Sequence, residues 1–434
     1  MMKWSIFIIR VFHKSDVLLF NTKNSSVLIL DEKEYKSVND AIENGTKISA
    51  SFNELIENSF LVNKESDEKK EFLKELNKCL KENKHFTVHI LPTTACNFNC
   101  PYCYQSGIKR DFFLDDEILK KTIKYIKGYL KGKDINEATV VIHGGEPTVN
   151  WSPVIKLLPE MDKIFKEKSI KYRTQIVSNG YNLTPEKADL LSKYNWQRFQ
   201  VTLDGPPESH NKRRILRNGG DTFEKIVENI KYIIDNDKIE KVSLRINYDK
   251  GNVEKVPEFL EYIAKNFDKD RIILSLGFIS KTVDDTDANK YVSEFGIKKS
   301  ELTSYYLPLF KKAVKLGFKM SELFMFTGMC TSKLDNALVI SSNGEIFKCL
   351  SGVGRDEFVE GNVDSEMYDL PNYLYPELYE ECLEKKCPYL PLCHTGCRFE
   401  SYLKNGEMKQ IDCNKEVLDS VNEELLKFQY LNKK

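Results

Sequence analysis

Between residues 86 and 280 the chain alternates short apolar segments with longer amphipathic ones, and no other feature restricts the fold as much. Strand-like segments fall at 87–91, 139–143, 174–177, 198–203, 242–247 and 271–276. The stretches between them read as helices. One places Leu119, Ile123, Ile126 and Leu130 on one face, and another does the same with Phe223, Ile226, Ile230 and Ile233. Ser152-Pro153 and Thr184-Pro185 each offer an N-cap residue followed by proline at the first helical position. Strands that alternate with helices form a parallel sheet with right-handed crossovers. A count of six strands rather than eight predicts an α/β fold with a partial, open (β/α)6 barrel over residues 86–300.

The flanking segments differ. Residues 1–85 read as a small α+β module, with strands at 17–21 and 26–31, helices near 32–38 and 51–57, and a charged linker helix at 65–82. In that helix Phe72, Leu73, Leu76 and Leu80 form a thin apolar stripe. Beyond residue 300 the alternation stops and cysteines dominate. Lys+Arg and Asp+Glu both number 65, so there is no basic excess of the kind that nucleic-acid or membrane-surface binders carry. No apolar run approaches the ~20 residues that span a bilayer. The apolar core of the first ten residues is too short for a secretory signal. The expectation is a cytoplasmic protein with no nucleic-acid or membrane partner.

In that compartment clustered cysteines bind metal or do redox chemistry more often than they form disulfides, and this chain has eleven. Cys96, Cys100 and Cys103 follow the first barrel strand with the spacing C-x3-C-x2-C. A loop at the C-terminal end of a barrel strand is where such folds carry chemistry. Soft thiolates suit iron–sulfur clusters. Three ligands on a cubane leave one iron open, whereas a closed structural zinc site needs a fourth ligand.

This loop resembles the signature of the radical S-adenosylmethionine (SAM) superfamily, including the aromatic Tyr102 before the last cysteine. The resemblance implies a catalytic 4Fe-4S cluster on Cys96, Cys100 and Cys103, with Tyr102 against the adenine of SAM. Further segments match in order. Gly144-Gly145-Glu146-Pro147 is similar to the GGEP motif, whose backbone holds the SAM amino group. Bare backbone can approach a ligand closely, although Gly-Gly also makes plain turns. Ser178 and Asn179 correspond to the ribose-side segment. Asp204 is either a cofactor contact or a turn-stabilising residue. Arg214 corresponds to an arginine that pairs with the SAM carboxylate. Asn211 stands where the family usually has Asp, and Arg213 where an aromatic is common. The implied chemistry is one-electron cleavage of SAM to a 5′-deoxyadenosyl radical, which takes a hydrogen atom from an unactivated carbon. Flavodoxin or ferredoxin would supply the electron.

Seven cysteines follow, at Cys330, Cys349, Cys382, Cys387, Cys393, Cys397 and Cys413. Their spacing, with Gly344 in a G-x4-C motif, resembles the SPASM domain, assigned here to residues 301–434. By that resemblance Cys330, Cys349 and Cys397 hold one auxiliary 4Fe-4S cluster, and Cys382, Cys387, Cys393 and Cys413 a second, making three clusters in all. Glu384 stands where the family's first cysteine is expected, so Cys382 or Glu384 completes the second set. Zinc at one site is the alternative. Cys79 is left over, and His394 reads as a solvent-facing loop histidine.

Radical SAM enzymes of this type mostly modify peptides or proteins. The layout of residues 1–85 resembles the winged-helix recognition elements of enzymes that mature ribosomally made peptides. Those elements add a leader peptide as a strand on a sheet edge. A stabilising cap on the barrel is the plainer reading. The expected function is a maturase that cross-links a precursor peptide after binding its leader. A Cys thioether of the sactipeptide or ranthipeptide type comes first, and a carbon–carbon cross-link next. A sulfatase-type maturase forming formylglycine is the second reading. Such enzymes carry Asp after the cysteine of the G-x4-C motif, where this chain has Leu350 and Ser351. A zinc-stabilised peptide-binding protein without catalysis is the third.

Overall fold

The computed structural model describes residues 1–105, 111–280, 288–320 and 329–431. Chain contacts divide into two bodies, Met1–Glu82 with Ser321–Cys330 and Leu374–Lys434, and Asn83–Met320 with Thr331–Tyr373.

In the first body the strands are β1 (Met2–Trp4), β2 (Ile8–His13), β3 (Asp16–Asn21), β4 (Val27–Asp31) and β5 (Leu61–Asn63). β2, β3 and β4 form an antiparallel sheet in that order, and β1 pairs with β5. β2 is missing from the sequence reading because both its faces are apolar, which hides the alternation of a half-buried strand. One face of the sheet, through Ile8, Val17 and Leu19, packs on Val38, Leu55 and Phe60 of the N-terminal segment. The other, through Ile9, Val11, Leu18 and Phe20, packs on Leu392, Leu418 and Leu426. Asp31 ends β4 and caps the helix Glu32–Glu43 through a capping box with Glu34. The charged stretch at 65–82 forms the helix Glu68–Lys81, but it is no free linker. Its Phe72 and Leu76 share a core with Tyr379, Leu383 and Leu390.

The second body contains all six strands predicted between 87 and 276, as β6 (His85–Ile90), β7 (Glu137–Ile142), β8 (Lys171–Val177), β9 (Trp196–Thr202), β10 (Val242–Tyr248) and β11 (Ile272–Phe278). They pair in sequence order and all in parallel. β12 (Ala337–Ile340) adds to β6 in parallel, followed by antiparallel β13 (Glu345–Phe347) and β14 (Val359–Asn362). At only four residues β12 carries too little pattern to be read from sequence. Gly344, at φ +86°, makes the turn from β12 to β13 and so leads the chain to Cys349.

Helices cover the outer face of the parallel strands. Leu119, Ile126 and Leu130 are buried as predicted, with Ile123 half-buried. Tyr129 of the same helix stacks on Phe86. Thr184 and Pro185 begin their helix as predicted. Ser152 is itself the first helical residue, with Trp151 as the cap, one residue earlier than predicted. Pro153 is tolerated there because first-turn N–H groups have no intrahelical acceptor. Among the described residues no helix is long and apolar enough to cross a membrane. Phe223, Ile226, Ile230 and Ile233 are completely buried between helix Phe223–Asp235 and the sheet. Ile230→Ala is therefore expected to lower unfolding free energy by about 2–5 kcal/mol. The check is a fall in the urea midpoint with an unchanged m-value.

Candidate active site

The cysteine loop leaves β6 and is stitched on two sides. Thr93 Oγ1 donates to Phe112 O at 2.7 Å and accepts from Ala95 N at 3.0 Å. Asn99 N donates to Ile215 O, and Arg217 N to Asn97 O, both at 2.9 Å. Cys96, Cys100 and Cys103 are all half-buried. Burial pushes the Cys100 thiol up to about 12, Arg214 works against that shift, and the Cys103 and Cys96 sulfurs add to it. Cys96, Cys103 and the Arg214 guanidinium therefore all lie within electrostatic reach of Cys100.

The loop after β7 closes against this one. Gly145 N donates to Thr93 O at 3.0 Å and Glu146 N to Ala95 O at 2.8 Å. A Cβ at Gly144, where φ is +142°, would lie 2.3 Å from Thr93 O, and one at Gly145 would lie 2.2 Å from Ala95 O. Neither position admits a side chain. The Gly145 and Glu146 amides are spent on the cysteine loop, so a ligand's ammonium group would look to carbonyls here. Pro147 is buried and opens the short turn Pro147–Val149.

Glu146 is fully buried and joins three loops. Its Oε1 accepts from Thr148 N at 3.0 Å and Ser178 Oγ at 2.8 Å, and its Oε2 accepts from Asn179 N at 2.6 Å. Asn179 Nδ2 in turn donates to Asn97 Oδ1 at 2.7 Å, which returns to the cysteine loop. Asn97 was not singled out in the sequence, because nothing in its spacing marks it.

Tyr102, Asp204, Arg213 and Arg214 form one buried group. Tyr102 Oη donates to Asp204 Oδ2 and accepts from Arg214 Nη1 at 3.0 Å. Asp204 Oδ1 accepts from Asn247 N at 3.1 Å, so this carboxylate ties β10 to the site rather than stabilising its own turn. Arg213 pairs with Asp249 at 2.7 Å, faces Asp204 at 3.6 Å and lies 4.8 Å over the Tyr102 ring. Arg214 has no carboxylate within ion-pair distance among the described residues, and its buried Nε has no hydrogen-bond partner. Of the two arginines, Arg214 is the one left for an anionic ligand. Asn211 Oδ1 accepts from Thr222 N and Phe223 N at the start of a helix, a task an amide oxygen performs as well as a carboxylate.

The inner faces of β6 to β9 border an open cavity of about 390 Å3 whose lining includes His85, His89, His143, Arg173 and Arg198, with Leu350 at one side. His143 Nδ1 accepts from Gly144 N at 2.7 Å. Burial, reinforced by His89, holds His143 down at about 3.

The C-terminal cysteines fall in both bodies. In the first, Cys382, Cys387, Cys393 and Cys413 line one small cavity with Leu390, Ile411 and Leu418. Glu384 is exposed and takes no part in that lining. Cys330 and Cys397 lie within electrostatic reach of each other. Among the described residues no three His, Cys, Asp or Glu side chains close on a single metal ion. In the second body Cys349 precedes the turn Leu350–Gly352. Cys79 is exposed. His394 is half-buried rather than solvent-facing, because positive φ at His394, Thr395 and Gly396 folds the loop back and brings its ring 6.1 Å from Tyr379.

The His143 geometry sets a pH dependence. Below its ordinary value of 6.5 the unfolded chain takes up a proton that the folded chain refuses until about 3. This contribution to stability is therefore full above about pH 6.5 and declines as pH falls towards 3. Urea midpoints at pH 7.5 and pH 5.0 should drop less in His143→Gln than in the unsubstituted protein.

Residues 90–263 match the radical SAM superfamily. The cysteine-type anaerobic sulfatase-maturating enzyme of Clostridium perfringens is 26% identical over 340 residues, covering 70% of this chain and 86% of that protein. Among solved structures, native anSMEcpe with bound AdoMet and Kp18Cys peptide aligns with a TM-score of 0.61 at 21% identity, covering 80% of this chain and 97% of that one. Streptococcus suis SuiB bound to precursor peptide SuiA aligns with a TM-score of 0.50 at 17% identity, covering 96% and 100%. Matching sequence and matching fold agree: residues 90–263 are a radical SAM domain, and the chain is an enzyme.

Proposed function

We propose that this enzyme is a peptide maturase that binds a precursor peptide and installs a cross-link, in the first place a Cys thioether. Two relatives of the same fold bind peptides, one a Kp18Cys peptide and one a precursor peptide. The observation that carries the choice of reaction is Leu350. It follows Cys349 and lines the barrel cavity as an apolar side chain, where a formylglycine-forming enzyme needs an acidic base. The N-terminal sheet supports a leader site, since β4 is an edge strand with Ile29 exposed.

The residues fit the cofactors. Cys96, Cys100 and Cys103 would hold the catalytic cluster, the carbonyls around Gly144 and Gly145 would accept the SAM ammonium group, and the Arg214 fork would take its carboxylate. Glu146 would fix Ser178 and Asn179 on the ribose side, and Asp204 would fix Tyr102 near the adenine. Bound there, SAM and the cluster supply one-electron cleavage and hydrogen-atom abstraction. Cys382, Cys387, Cys393 and Cys413 suit one auxiliary cluster, since four thiols around an apolar cavity match a cubane's soft donors. Cys330 and Cys397, within electrostatic reach of each other, would serve the other. A flavodoxin or ferredoxin would deliver electrons in the cytoplasm.

Anaerobic reconstitution tests the cofactor content. About twelve irons per chain are expected, falling by about four in Cys100→Ala with loss of 5′-deoxyadenosine formation. Zinc in place of eight of those irons would contradict the auxiliary clusters. The leader site is better probed by a point change than by deleting the N-terminal segment, which shares its cores with the C-terminal helices. Ile29→Asp should weaken binding of a labelled leader peptide in fluorescence polarisation, and unchanged affinity would remove β4 from the proposal.

A further inference from the structure

Strand register continues the polar cavity of the barrel onto β10. Arg198 and Gln200 of β9 line the cavity, and Ser243 of β10 is paired with Gln200. Side chains alternate along a strand, so Arg245, two residues on and paired with Thr202, shares that face. Arg198 Nη2 reaches Ser243 Oγ at 3.5 Å, which agrees with this orientation. The neighbouring β11 makes room for the guanidinium, since a Cβ at Gly277 would lie 2.3 Å from Arg245 Nη2.

This lumen is cationic and short of acids. Arg173 Nε donates to Thr139 Oγ1 at 2.9 Å, Arg198 Nη2 to Gln200 Oε1 at 3.4 Å, and Arg245 Nε to Asn247 Oδ1 at 2.7 Å. Every one of these acceptors is neutral. Among the described residues no carboxylate lies within ion-pair distance of the three arginines, and the cavity lining contains neither Asp nor Glu. Glu137 meets His85 at 3.3 Å at the strand N-termini, with 55% of its side chain exposed. Asp204 lies within electrostatic reach of Arg245 but is already taken by Tyr102, Asn247 and Arg213. Burial holds Arg245 below the ordinary guanidinium value. Arg245 is half-buried, and a guanidinium partly withdrawn from water with no carboxylate beside it keeps an unmet demand for an anionic partner. Tyr102 and Tyr104 also lie within electrostatic reach of Arg245, so its group faces the cysteine-loop end of the lumen.

We propose that the barrel lumen takes a carboxylate-bearing residue of the peptide substrate, an Asp or Glu side chain, and that Arg245 is the residue that selects it. This rests on the peptide-maturase reading and adds the chemical class of the residue brought to the radical site. Arg173 and Arg198 line the same cavity and draw the acidic segment inward, while the guanidinium fork of Arg245 fixes the carboxylate.

The test uses the full-length reconstituted enzyme with SAM and two capped pentapeptides, acetyl-Gly-Gly-Glu-Gly-Gly-amide and its Gln counterpart, titrated calorimetrically. The acidic peptide should bind about tenfold or more tighter than the amide. Arg245→Gln should abolish the preference, Arg245→Lys should retain part of it by keeping charge without the fork, and Arg173→Gln should reduce it. Equal affinity of the unsubstituted enzyme for both peptides overturns the proposal and leaves the peptide reading intact. Binding of neither peptide overturns both. A preference untouched by Arg245→Gln and Arg173→Gln refutes the assignment of these arginines. So does a loss of SAM affinity in Arg245→Gln with peptide preference retained, which would make Arg245 a partner of the cofactor carboxylate.

Discussion

Two backbone hydrogen bonds, from Gly145 to Thr93 and from Glu146 to Ala95, tie the loop after β7 to the cysteine loop after β6. Everything else in the site is built on that junction. It demands glycine at 144 and 145, because each Cβ would strike a carbonyl oxygen of the facing loop. It also spends the amide donors of Gly145 and Glu146 on the cysteine loop. From there Glu146 carries the constraint to the loop after β8 through Ser178 and Asn179, and Asn179 returns it to Asn97 between the first two thiols. The circuit is closed, so the loops after β6, β7 and β8 are positioned together. The carboxylate at its centre is satisfied by N–H and O–H donors alone, bonds that are stronger for being made to a charge.

The second constraint is electrostatic. Arg213, Arg214, Asp204 and Asp249 are all buried, and their formal charges cancel. Their geometry does not pair them evenly. Arg213 takes Asp249 and faces Asp204, while Asp204 is shared with Tyr102 and the Asn247 amide. Arg214 is left with a phenol. Such an arrangement is unfavourable until an anion arrives, because a desolvated charge recovers its lost hydration only from a matched partner.

Much of this was legible in the sequence, for identifiable reasons. The six parallel strands and their helices announce themselves because burial on one face leaves a period in the residues, as with Phe223, Ile226, Ile230 and Ile233. Cys96, Cys100 and Cys103 and the glycines are legible because ligand spacing and the lack of a Cβ are local properties. β2 was not legible, being apolar on both faces, and neither was β12, being four residues long. Asn97, Arg245 and the ion pairs of Arg213 escaped for another reason. Their roles depend on what the fold brings opposite them, and a single chain of letters does not encode that.

Charge shows the same limit most clearly. Equal numbers of basic and acidic residues exclude a uniformly basic surface, and the inference stops there. Within a parallel sheet, alternate residues of each strand face the lumen and the others face the helices, so register decides which charges meet. Here β8, β9 and β10 each turn an arginine to the inside, at Arg173, Arg198 and Arg245, and the acidic residues that balance them lie elsewhere. A neutral chain thus folds to gather arginines along one open cleft. The buried Arg214 and the more accessible Arg173, Arg198 and Arg245 share one property, the lack of a carboxylate within ion-pair distance among the described residues, and only the fold reveals it.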